Sequence, residues 1–420
     1  MAKYQRYEEY KDSGVEWLGK VPSHWDIKPL KYLCTYNDDV LPDSTSKVFE
    51  LEYVDIGSVS STEGITNTEN MVFKDAPSRA KRIVQDGDVI VSTVRTYLEA
   101  IAPINNPPQN MIVSTGFAVI RPNEYLCKGY AAYCLRAKGF INEVVSLSVG
   151  VSYPAINATD LVGIKIPSLP FNEQAQIANF LDHETAKIDT LIEKQQTLIQ
   201  LLKEKRQAVI SHAVTKGLNP NAPMKDSGVE WLGEVPEHWN IVKLSYRMKL
   251  LSGDGITSQD IEPTGQYPVY GGNGLRGYTD RYNCEGHHVL IGRQGALCGN
   301  INLAQGKFFA TEHAVVVYPY QDFNISFLSE FLRFMDLGQY SVSAAQPGIS
   351  VERINGLKIL VPPYYEQTEI GEHVENIIKR FEDLSTKANQ QIKLLQERRT
   401  ALISAAVTGK IDVRGWQSPE

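Results

Sequence analysis

The sequence has few cysteines, no long apolar run and no excess of basic residues, and each absence narrows what the chain can be. The five cysteines are odd in number and none has CxxC spacing, which favours buried, reduced thiols over a disulfide framework or a zinc site. No run of about 18 uncharged apolar residues is present, so no transmembrane helix is expected. The polar start, MAKYQRYEEYKDSG, lacks the apolar core of a secretory signal, and we therefore expect a cytoplasmic protein.

The formal net charge of the 420-residue chain is −7 at pH 7, whereas a simple DNA-binding protein is expected to be basic. Local composition agrees: residues 30–160 hold 11 Lys and Arg against 15 Asp and Glu, and residues 240–356 hold 9 against 10. Any contact with DNA must therefore come from locally clustered basic and polar side chains, with a partner subunit supplying much of the attraction to phosphate.

Two internal repeats organise the chain. Residues 11–25 (KDSGVEWLGKVPSHW) and 225–239 (KDSGVEWLGEVPEHW) are identical at 13 of 15 positions, and residues 154–217 align with 347–410 without a gap at 22 of 64. The middles, 26–153 and 240–346, do not align. This arrangement suits a common frame that carries two different readers, since two copies of one enzyme would share catalytic residues in their middles. Segments rich in β-branched residues predict strands at 89–98, 111–120, 287–296 and 313–319.

Each repeat ends in one long predicted helix, which begins after Pro170 or Pro363 and closes on a glycine. A 4-3 spacing selects a mostly apolar heptad seam in both helices. The predicted seam is Ile177, Leu181, Glu184, Ile188, Leu191, Gln195, Leu198, Leu202, Lys205, Val209 and His212, and in the second helix Ile370, Val374, Ile377, Phe381, Leu384, Ala388, Gln391, Leu395, Arg398, Leu402 and Ala405. A helix of about 40 residues is roughly 60 Å long and cannot bury such a stripe alone. We expect the two helices to pair; the alternative is that each packs on its own half.

The longer repeat carries the pattern Pro-x-Ile-(x)6-Gly-h-Lys-Ile-(x)3-Pro-(x)2-Glu-Gln, where h is apolar. It reads PAINATDLVGIKIPSLPFNEQ at 154–174 and PGISVERINGLKILVPPYYEQ at 347–367, and an Ala-Val-Thr sequence closes each helix. Together with the SGVEWLG-VP-HW opening, these motifs resemble the specificity subunits of type I restriction-modification systems. The resemblance covers nearly the whole chain, in two copies.

The resemblance implies an α+β protein in which two globular, mixed α/β target-recognition domains are joined by two long antiparallel coiled-coil helices, with a pseudo-two-fold internal repeat. Each domain would read one half of a split, asymmetric DNA site, and helix length would set the spacer. The chain would hold no catalytic centre and no cofactor. Two modification subunits, which bind S-adenosylmethionine, would methylate adenine N6, and restriction subunits would cleave. We place the boundaries at 1–170 (first domain), 171–217 (first helix), 218–363 (linker and second domain) and 364–420 (second helix and tail).

In the second middle, residues 272–277 (GNGLRG) match the G-x-G-x-x-G dinucleotide pattern, but turn residues follow instead of a helix, so we predict a hairpin or loop. Such a loop is a candidate for reading DNA, because arginine pairs with the guanine edge and asparagine with the adenine edge. Two further candidates lie in a glycine-flanked turn downstream. The candidates in this middle are Asn273, Arg276, Tyr278, Arg281, Arg293 and Gln294.

In the first middle, the sequence SRAKR at 78–82 is a candidate for phosphate contact, although a solvated face is the plain alternative. Arg95 and Tyr97 follow strand-forming residues and are placed to reach the edge of a DNA groove. Ser152 and Tyr153 stand where Ala345 and Gln346 stand in the other half, and this divergence at a shared motif makes the site a candidate for specificity. The candidates are Arg79, Lys81, Arg82, Arg95, Tyr97, Ser152, Tyr153 and, from the second half, Gln346.

Two other patterns are weak. Residues 106–109 (NPPQ) resemble the Asn-Pro-Pro-aromatic signature of adenine methyltransferases, but Gln109 replaces the aromatic residue that stacks on a flipped base, so a loop turn is expected. His287, His288 and His313 have no acidic or cysteine ligand at metal-binding spacing, so we expect no metal. The alternatives to a DNA reader are a single-chain methyltransferase, which needs a cofactor loop that the sequence lacks, and a non-DNA adaptor with two binding modules, which the acidic charge favours.

Overall fold

The computed structural model describes residues 4–60, 62–341 and 347–417. Two compact units make up the chain: the first comprises Met1–Gln195 and Gln390–Glu420, and the second comprises Gln196–Asn389. Each unit therefore contains the start of one long helix and the end of the other. None of the helices in these described ranges is both long and apolar enough to cross a bilayer. The cysteines are free thiols, and Cys34, Cys134 and Cys298 are buried, as expected.

The long helix α4 begins in the first unit, and the long helix α7 begins in the second. The elements up to the end of α4 are β1 (Tyr10–Asp12), β2 (Lys20–Pro22), β3 (Asp26–Pro29), β4 (Cys34–Tyr36), β5 (Glu50–Val54), β6 (Val59–Ser60), β7 (Gly64–Ile65), β8 (Glu69–Val72), β9 (Ala80–Ile83), β10 (Val89–Ser92), β11 (Ile101–Pro103), β12 (Met111–Ser114), β13 (Phe117–Pro122), α1 (Lys128–Cys134), α2 (Lys138–Ser146), α3 (Ala158–Leu161), β14 (Lys165–Ser168) and α4 (Phe171–Lys216). Those that follow are β15 (Met224–Asp226), β16 (Glu234–Pro236), β17 (Asn240–Lys243), β18 (Met248–Ser252), β19 (Tyr267–Gly271), β20 (Gly274–Thr279), β21 (Cys284–Gly292), β22 (Ile301–Ala310), β23 (Ala314–Pro319), α5 (Ile325–Phe334), α6 (Val351–Asn355), β24 (Lys358–Val361) and α7 (Tyr364–Val407).

The two divergent middles share one four-stranded antiparallel arrangement. Its strand order is β11-β10-β13-β4 in the first unit and β22-β21-β23-β18 in the second, where the sheet continues into β19 and β20. The register is also the same: Val91 lies opposite Ile101, and Ile291 lies opposite Ile301. Different apolar residues fill equivalent buried positions, since a core accepts such exchanges when volume and pattern are kept. The internal repeat therefore extends, as structure, through segments that do not align as sequence.

A hydrogen-bonded latch joins the two repeated motifs of each half. In the first unit Trp25 Nε1 donates to Glu173 Oε1 at 3.0 Å, and His24 Nε2 lies 2.9 Å from Glu173 Oε2. The second unit repeats this latch with His238, Trp239 and Glu366. Both tryptophans are fully buried, and a buried indole N–H requires an acceptor. The His-Trp end of the opening and the Glu-Gln start of the helix are thus two parts of one contact.

The latch of the first unit is the more deeply buried of the two. Tyr7 donates its hydroxyl to Glu173 Oε1 at 2.7 Å, and the Glu173 side chain is only 5% exposed. Burial and this hydrogen bond raise the pKa of Tyr7 far above its usual value, so the phenol stays protonated and donates. In the second unit the exposed Tyr365 donates to Glu366 at 3.0 Å, and the Glu366 side chain is 19% exposed.

The glutamine of each Glu-Gln pair connects the long helix to a helix of the middle. Gln174 Oε1 accepts a hydrogen bond from the backbone N–H of Cys127 at 2.8 Å, directly before α1. Gln367 Oε1 accepts the N–H of Asn324 at 3.0 Å, directly before α5. Both amide groups are nearly fully buried, so they need these backbone partners. The Glu-Gln motif therefore attaches each of the two unlike middles to its long helix in the same way.

Each opening hairpin also contacts the end of the other repeat's long helix. Lys410 Nζ donates to the carbonyl of Lys20 at 2.7 Å in the first unit. Lys216 Nζ donates to the carbonyl of Leu232 at 3.5 Å in the second. The core of the first unit includes residues from the end of α7, namely Leu402, Ile403, Ala405, Ala406 and Val407. Neither repeat alone contains all the residues of one unit.

The two long helices run antiparallel within each unit. In the first unit Arg399 near the end of α7 pairs with Asp189 of α4, with Nε 2.9 Å from Oδ1. In the second unit the end of α4, at Lys216, borders the same cavity as Glu366 and Ile370 at the start of α7. The α+β class, the internal repeat and the antiparallel long helices expected from the sequence are confirmed.

The heptad seam was predicted with the wrong phase at alternate positions. Leu191 and Leu198 are 46% and 43% exposed, while the neighbouring Ile192 and Ile199 are half-buried. The same shift occurs in α7, where Leu384 is 41% exposed. The predicted positions that do turn inward in the middle of α4 are Ile188, Gln195, Leu202 and Val209. Where two adjacent residues are apolar, hydropathy does not choose between 3-4 and 4-3 spacing, because both fit a 3.5-residue repeat.

Candidate nucleic-acid interface

A loop at one end of the shared sheet carries candidate residues in both units. Residues 93–100 connect β10 to β11, and residues 293–300 connect β21 to β22. We call these the hairpin loops. The strands predicted at 89–98 and 287–296 extended too far into these loops, because β10 ends at Ser92 and β21 ends at Gly292. The candidates beyond these strand ends therefore lie on exposed turns, where a side chain can reach a groove.

The hairpin loop of the first unit lies beside the shared Pro-x-Ile segment. The Arg95 guanidinium stands over the Tyr153 ring, 5.1 Å from its centroid. Tyr97 and Tyr153 are 54% and 66% exposed, and Ser152 is exposed as well. Thr96 Oγ1 donates to Ser148 Oγ at 2.8 Å, which joins the loop to the segment that precedes Pro154. The structure thus brings Arg95 and Tyr153 into contact. Tyr97 lies in the same hairpin loop as Arg95, and Ser152 lies next to Tyr153.

Arg79 also lies near the base of this hairpin loop. Its Nη2 pairs with Asp55 Oδ2 at 2.7 Å. Its carbonyl accepts the N–H of Thr115, and the carbonyl of the adjacent Gly116 accepts the N–H of Thr93, each at 2.8 Å. Arg79 is exposed, so its guanidinium keeps donors that face solvent.

The other basic residues of the SRAKR sequence point elsewhere. Lys81 Nζ pairs with Asp43 Oδ1 at 2.7 Å and stands over the Phe73 ring. Arg82 is half-buried, its Nη1 donates to the carbonyl of Asn37 at 3.4 Å, and burial lowers its pKa. Lys81 and Arg82 are successive residues of β9 and face opposite sides, while Arg79 lies before the strand and pairs with Asp55, so the three basic residues do not form one patch.

In the second unit the G-x-G-x-x-G match is a hairpin turn, as predicted, between β19 and β20. A Cβ atom on Gly272 would stand 3.0 Å from the carbonyl oxygen of Gln294 and 3.2 Å from that of His313. A side chain at 272 would therefore push the turn and the hairpin loop apart by a few tenths of an ångström. Asn273 is exposed at the tip of the turn.

Two arginines flank this contact. Arg293 Nη1 donates to Ser252 Oγ at 3.1 Å, while its buried Nε has no hydrogen-bond partner within the described ranges. Arg276 is exposed, and its aliphatic stem packs over Gly271. In the part of the chain that the structure describes, Arg276 has no carboxylate partner. The structure thus gathers Asn273, Arg276, Arg293 and Gln294.

The remaining two candidates of this middle lie at the other end of β20. Arg281 Nη2 is 3.8 Å from Asp260 Oδ2, and the guanidinium stands over the Phe309 ring. Tyr278 exchanges backbone hydrogen bonds with Glu262 at 2.8 Å. Asp260 and Glu262 lie at this end, so the structure separates Tyr278 and Arg281 from the other candidates of this middle. Gln346, the last candidate, and Ala345 lie outside the described residues.

A family model described as the type I restriction modification DNA specificity domain matches residues 22–201 and 236–394. The two ranges make up more than half of the chain. The chain belongs to the family of type I restriction-modification specificity subunits. The shared sheet, both latches and the start of each long helix fall within the two matched ranges, whereas most of each opening precedes them.

Known specificity subunits resemble it along part or most of their length. The EcoprrI specificity subunit of Escherichia coli is 40% identical over 147 residues, which are 34% of this chain and 36% of that one. The EcoKI specificity subunit of E. coli K12 is 22% identical over 436 residues, 95% of this chain and 92% of that one.

Two solved structures share the fold. A chain from a structural study of complex assembly and conformational transition in the type I R-M system has a TM-score of 0.70 at 22% identity, covering 92% of this chain and 98% of that one. The HsdS subunit of Thermoanaerobacter tengcongensis has a TM-score of 0.58 at 21% identity, covering 93% and 98%.

As a specificity subunit, the chain recognises DNA sequence, and catalysis belongs to its partner subunits. The Asn-Pro-Pro match at 106–108 is a turn, with Asn106 at a φ of +45° and its N–H donated to Asp86 Oδ1. In the described residues no group of histidine, cysteine and acidic side chains could hold a metal ion.

Sequence reasoning missed several residues of the specificity subunit's candidate surface. Val149 and Val151, which are largely and fully exposed, precede the shared Pro154. Glu312, beside the second hairpin loop, has a buried Oε2 without a partner in the described part of the chain. One signal was available for the valines: the repeat loses identity directly before Pro154, which marks a position where the halves differ.

Proposed function

We propose that this specificity subunit reads a bipartite, asymmetric DNA site, one half with each unit, and directs adenine methylation and DNA cleavage by partner subunits. The observation that carries the proposal is one frame present twice with unlike surface residues at equivalent places. A duplicated frame with unlike readers matches a non-palindromic site, as the symmetry of a dimeric reader matches a palindrome. Free, mostly buried thiols favour action in the cytoplasm.

The proposed contacts combine base readout with phosphate contact. Exposed arginine, asparagine and glutamine side chains suit base edges in the major groove, and lysine and arginine suit phosphates. With a net charge of −7, the chain attracts DNA weakly by itself, so partner subunits supply much of the phosphate contact. The proposed contacts are Arg79, Lys81, Arg82, Arg95, Tyr97, Ser152 and Tyr153 in the first unit, and Asn273, Arg276, Tyr278, Arg281, Arg293, Gln294 and Gln346 in the second.

We further propose two modification subunits, each bringing S-adenosylmethionine, with restriction subunits added to the complex. The long helices support the number two. Leu191 and Leu394 belong to the first unit, and Leu384 and Leu201 are their repeat equivalents in the second. All four are between 41% and 56% exposed. Two equivalent exposed leucine pairs offer equivalent surfaces to two copies of one partner, and apolar side chains on a surface contribute to binding when a partner covers them.

Methylation mapping tests the proposal. The chain is co-expressed with its modification subunit, and methylated adenines are mapped across the host genome by long-read sequencing. We expect one split, asymmetric motif that appears only when the specificity subunit is present. A well-formed complex that adds no motif would contradict DNA reading.

Arg276→Ala and Arg293→Ala are each expected to relax one position in one half-site and to leave the other half-site unchanged. A two-pronged arginine–guanine contact contributes about 1–3 kcal/mol of discrimination, so methylation of sites with a wrong base at that position should rise about ten- to a hundredfold relative to the cognate site. Arg276→Lys is the matched control, because it keeps the charge and loses the fork. Equal losses in both half-sites would contradict the assignment.

A further inference from the structure

The two hairpin loops have the same backbone although their sequences differ. The N–H of Ser92 donates to the carbonyl of Ala100 at 2.9 Å, and Gly292 donates to Asn300 at 2.8 Å. Inside the loops, Leu98 donates to the Arg95 carbonyl and Cys298 to the Gly295 carbonyl, both at 2.9 Å. Every partner is shifted by 200 residues. Agreement at the base and inside the loops indicates one structural element present twice, although the N–H of Glu99 donates to Thr96 and that of Gly299 donates to Gly292.

The shared Pro-x-Ile segment fixes both loops in the same way. The N–H of Ile156 donates to the carbonyl of Thr93 at 2.9 Å, and that of Ile349 donates to the carbonyl of Arg293 at 2.9 Å. The proline carbonyls also accept from the loops, although the donors differ by one position: Thr96 donates to Pro154 at 3.4 Å, and Gly295 donates to Pro347 at 3.0 Å. A segment that is similar in both halves therefore holds a loop that is different in each. This is how a frame presents a variable reading element in a constant position.

The backbone conformation singles out two residues of the first loop. Arg95 and Glu99 both have a φ of +52°, a left-handed conformation that side chains disfavour. At the equivalent positions the second loop has Gly295 and Gly299, which adopt it freely. Residues other than glycine persist in such conformations mainly where function or surrounding structure requires them. Glu99 pairs with Lys138 at 2.5 Å, which gives it a structural role.

Arg95 has no such role. It is exposed, its guanidinium stands over the Tyr153 ring, and among the residues the structure describes the guanidinium forms no hydrogen bond or ion pair. An aromatic ring orients the guanidinium plane while leaving its N–H donors free. A strained, oriented and unpaired arginine at the tip of a fixed loop is placed to bind a ligand with two acceptors in one plane.

We propose that the hairpin loop is the equivalent reading element of both units, and that Arg95 is a specificity-determining residue of the first half-site, donating to the O6 and N7 acceptors of one guanine. The inference rests on the proposed function and assigns the base class that this site reads. In the second unit the position equivalent to Arg95 is Gly295, so Arg293 and Gln294, which precede it in the same loop, read the base there.

Arg95→Gly and Glu99→Gly separate recognition from backbone strain. Each removes one side chain from a left-handed position, and Arg95→Gly is expected to leave the melting temperature of the chain equal or higher. In the complex with its modification subunits, Arg95→Gly should raise methylation of sites with a wrong base at one guanine of the first half-site about ten- to a hundredfold relative to the cognate site. Glu99→Gly should keep wild-type discrimination.

The outcomes distinguish this inference from the proposed function. If the wild-type complex methylates a split motif and Arg95→Gly leaves discrimination unchanged, or weakens methylation equally at all sites, the assignment of Arg95 is wrong while DNA reading stands. If Arg95→Gly unfolds the first unit, Arg95→Lys decides, because it keeps a side chain at 95 but loses the fork. Wild-type discrimination in Arg95→Lys would overturn the inference. No methylated motif from the wild-type complex would overturn the proposed function and this inference with it.

Discussion

Replacing both Leu191 and Leu394 by aspartate is expected to release one modification subunit and leave the second bound. The two leucines are 46% and 55% exposed in the first unit. They lie on antiparallel helices near the Arg399–Asp189 pair, Leu191 about half a turn from Asp189 and Leu394 about one and a half turns from Arg399. Fully burying a leucine contributes about 1.5–3 kcal/mol, and about half of each of these side chains is exposed, so losing both removes about 1.5–3 kcal/mol. With two carboxylates placed against an apolar partner in addition, that interface should weaken by at least about a hundredfold.

The mass of the purified complex measures the effect. The repeat provides the matched experiment, because aspartate at Leu201 and Leu384 should release the other modification subunit and leave the first. Leu198→Asp is the control: this leucine is 43% exposed on the same helix, but its repeat equivalent is Gln391. We expect Leu198→Asp to keep both partners. Two bound partners in both double variants would show that modification subunits dock elsewhere.

Glu173→Ala is expected to destabilise the first unit by about 4 kcal/mol. The substitution removes the acceptor of Trp25 Nε1 and of the Tyr7 hydroxyl, both of which are buried. A buried donor without an acceptor costs about 1–3 kcal/mol, and the half-exposed His24 can turn to water. Denaturant unfolding followed by tryptophan fluorescence measures the loss.

The second latch gives the comparison for that prediction. Glu366→Ala leaves one buried donor, Trp239 Nε1, because Tyr365 and His238 are exposed. Its loss should therefore be smaller, about 1–3 kcal/mol. Glu173→Gln, which keeps an acceptor oxygen, should fall between wild type and Glu173→Ala. Equal losses in Glu173→Ala and Glu366→Ala would mean that burial of the latch does not set its contribution.

The features that could be predicted from the sequence are those that depend on the internal repeat and on local residue patterns. The long helices, the hairpin at 272–277 and the turn at 106–109 follow from proline, glycine and apolar period, which act locally. The common sheet was not predicted, because the strands around Val91 and Ile291 share only scattered identities, such as Ile101 with Ile301, which are too few to align the two middles. The seam was correct at Ile188 and wrong at Leu191, since a Leu-Ile pair fits either phase.

The candidate surface could be predicted only in part. Exposed basic and polar residues on turns, such as Arg95 and Arg276, are recognisable by type and by neighbouring glycine or strand signals. Their grouping depends on long-range contacts: Lys81 points to Asp43, and Arg281 points to Asp260. Nor does the sequence show that Arg95 has a positive φ, because its loop is held by backbone hydrogen bonds to Pro154 and Ile156, which are distant in sequence.

The division of the long helices between the units reverses the order of folding during synthesis. The second unit is one continuous stretch, Gln196–Asn389, whereas the first needs Gln390–Glu420 to complete its core. At about 5–20 residues per second, the ribosome takes roughly 10–40 s to reach the closing segment after residue 195 has been added. For that time Ile188 and its neighbours on α4 lack their partners from α7. The part of the protein that is made first is thus the last to become native, and it is the part that needs protection while the chain grows.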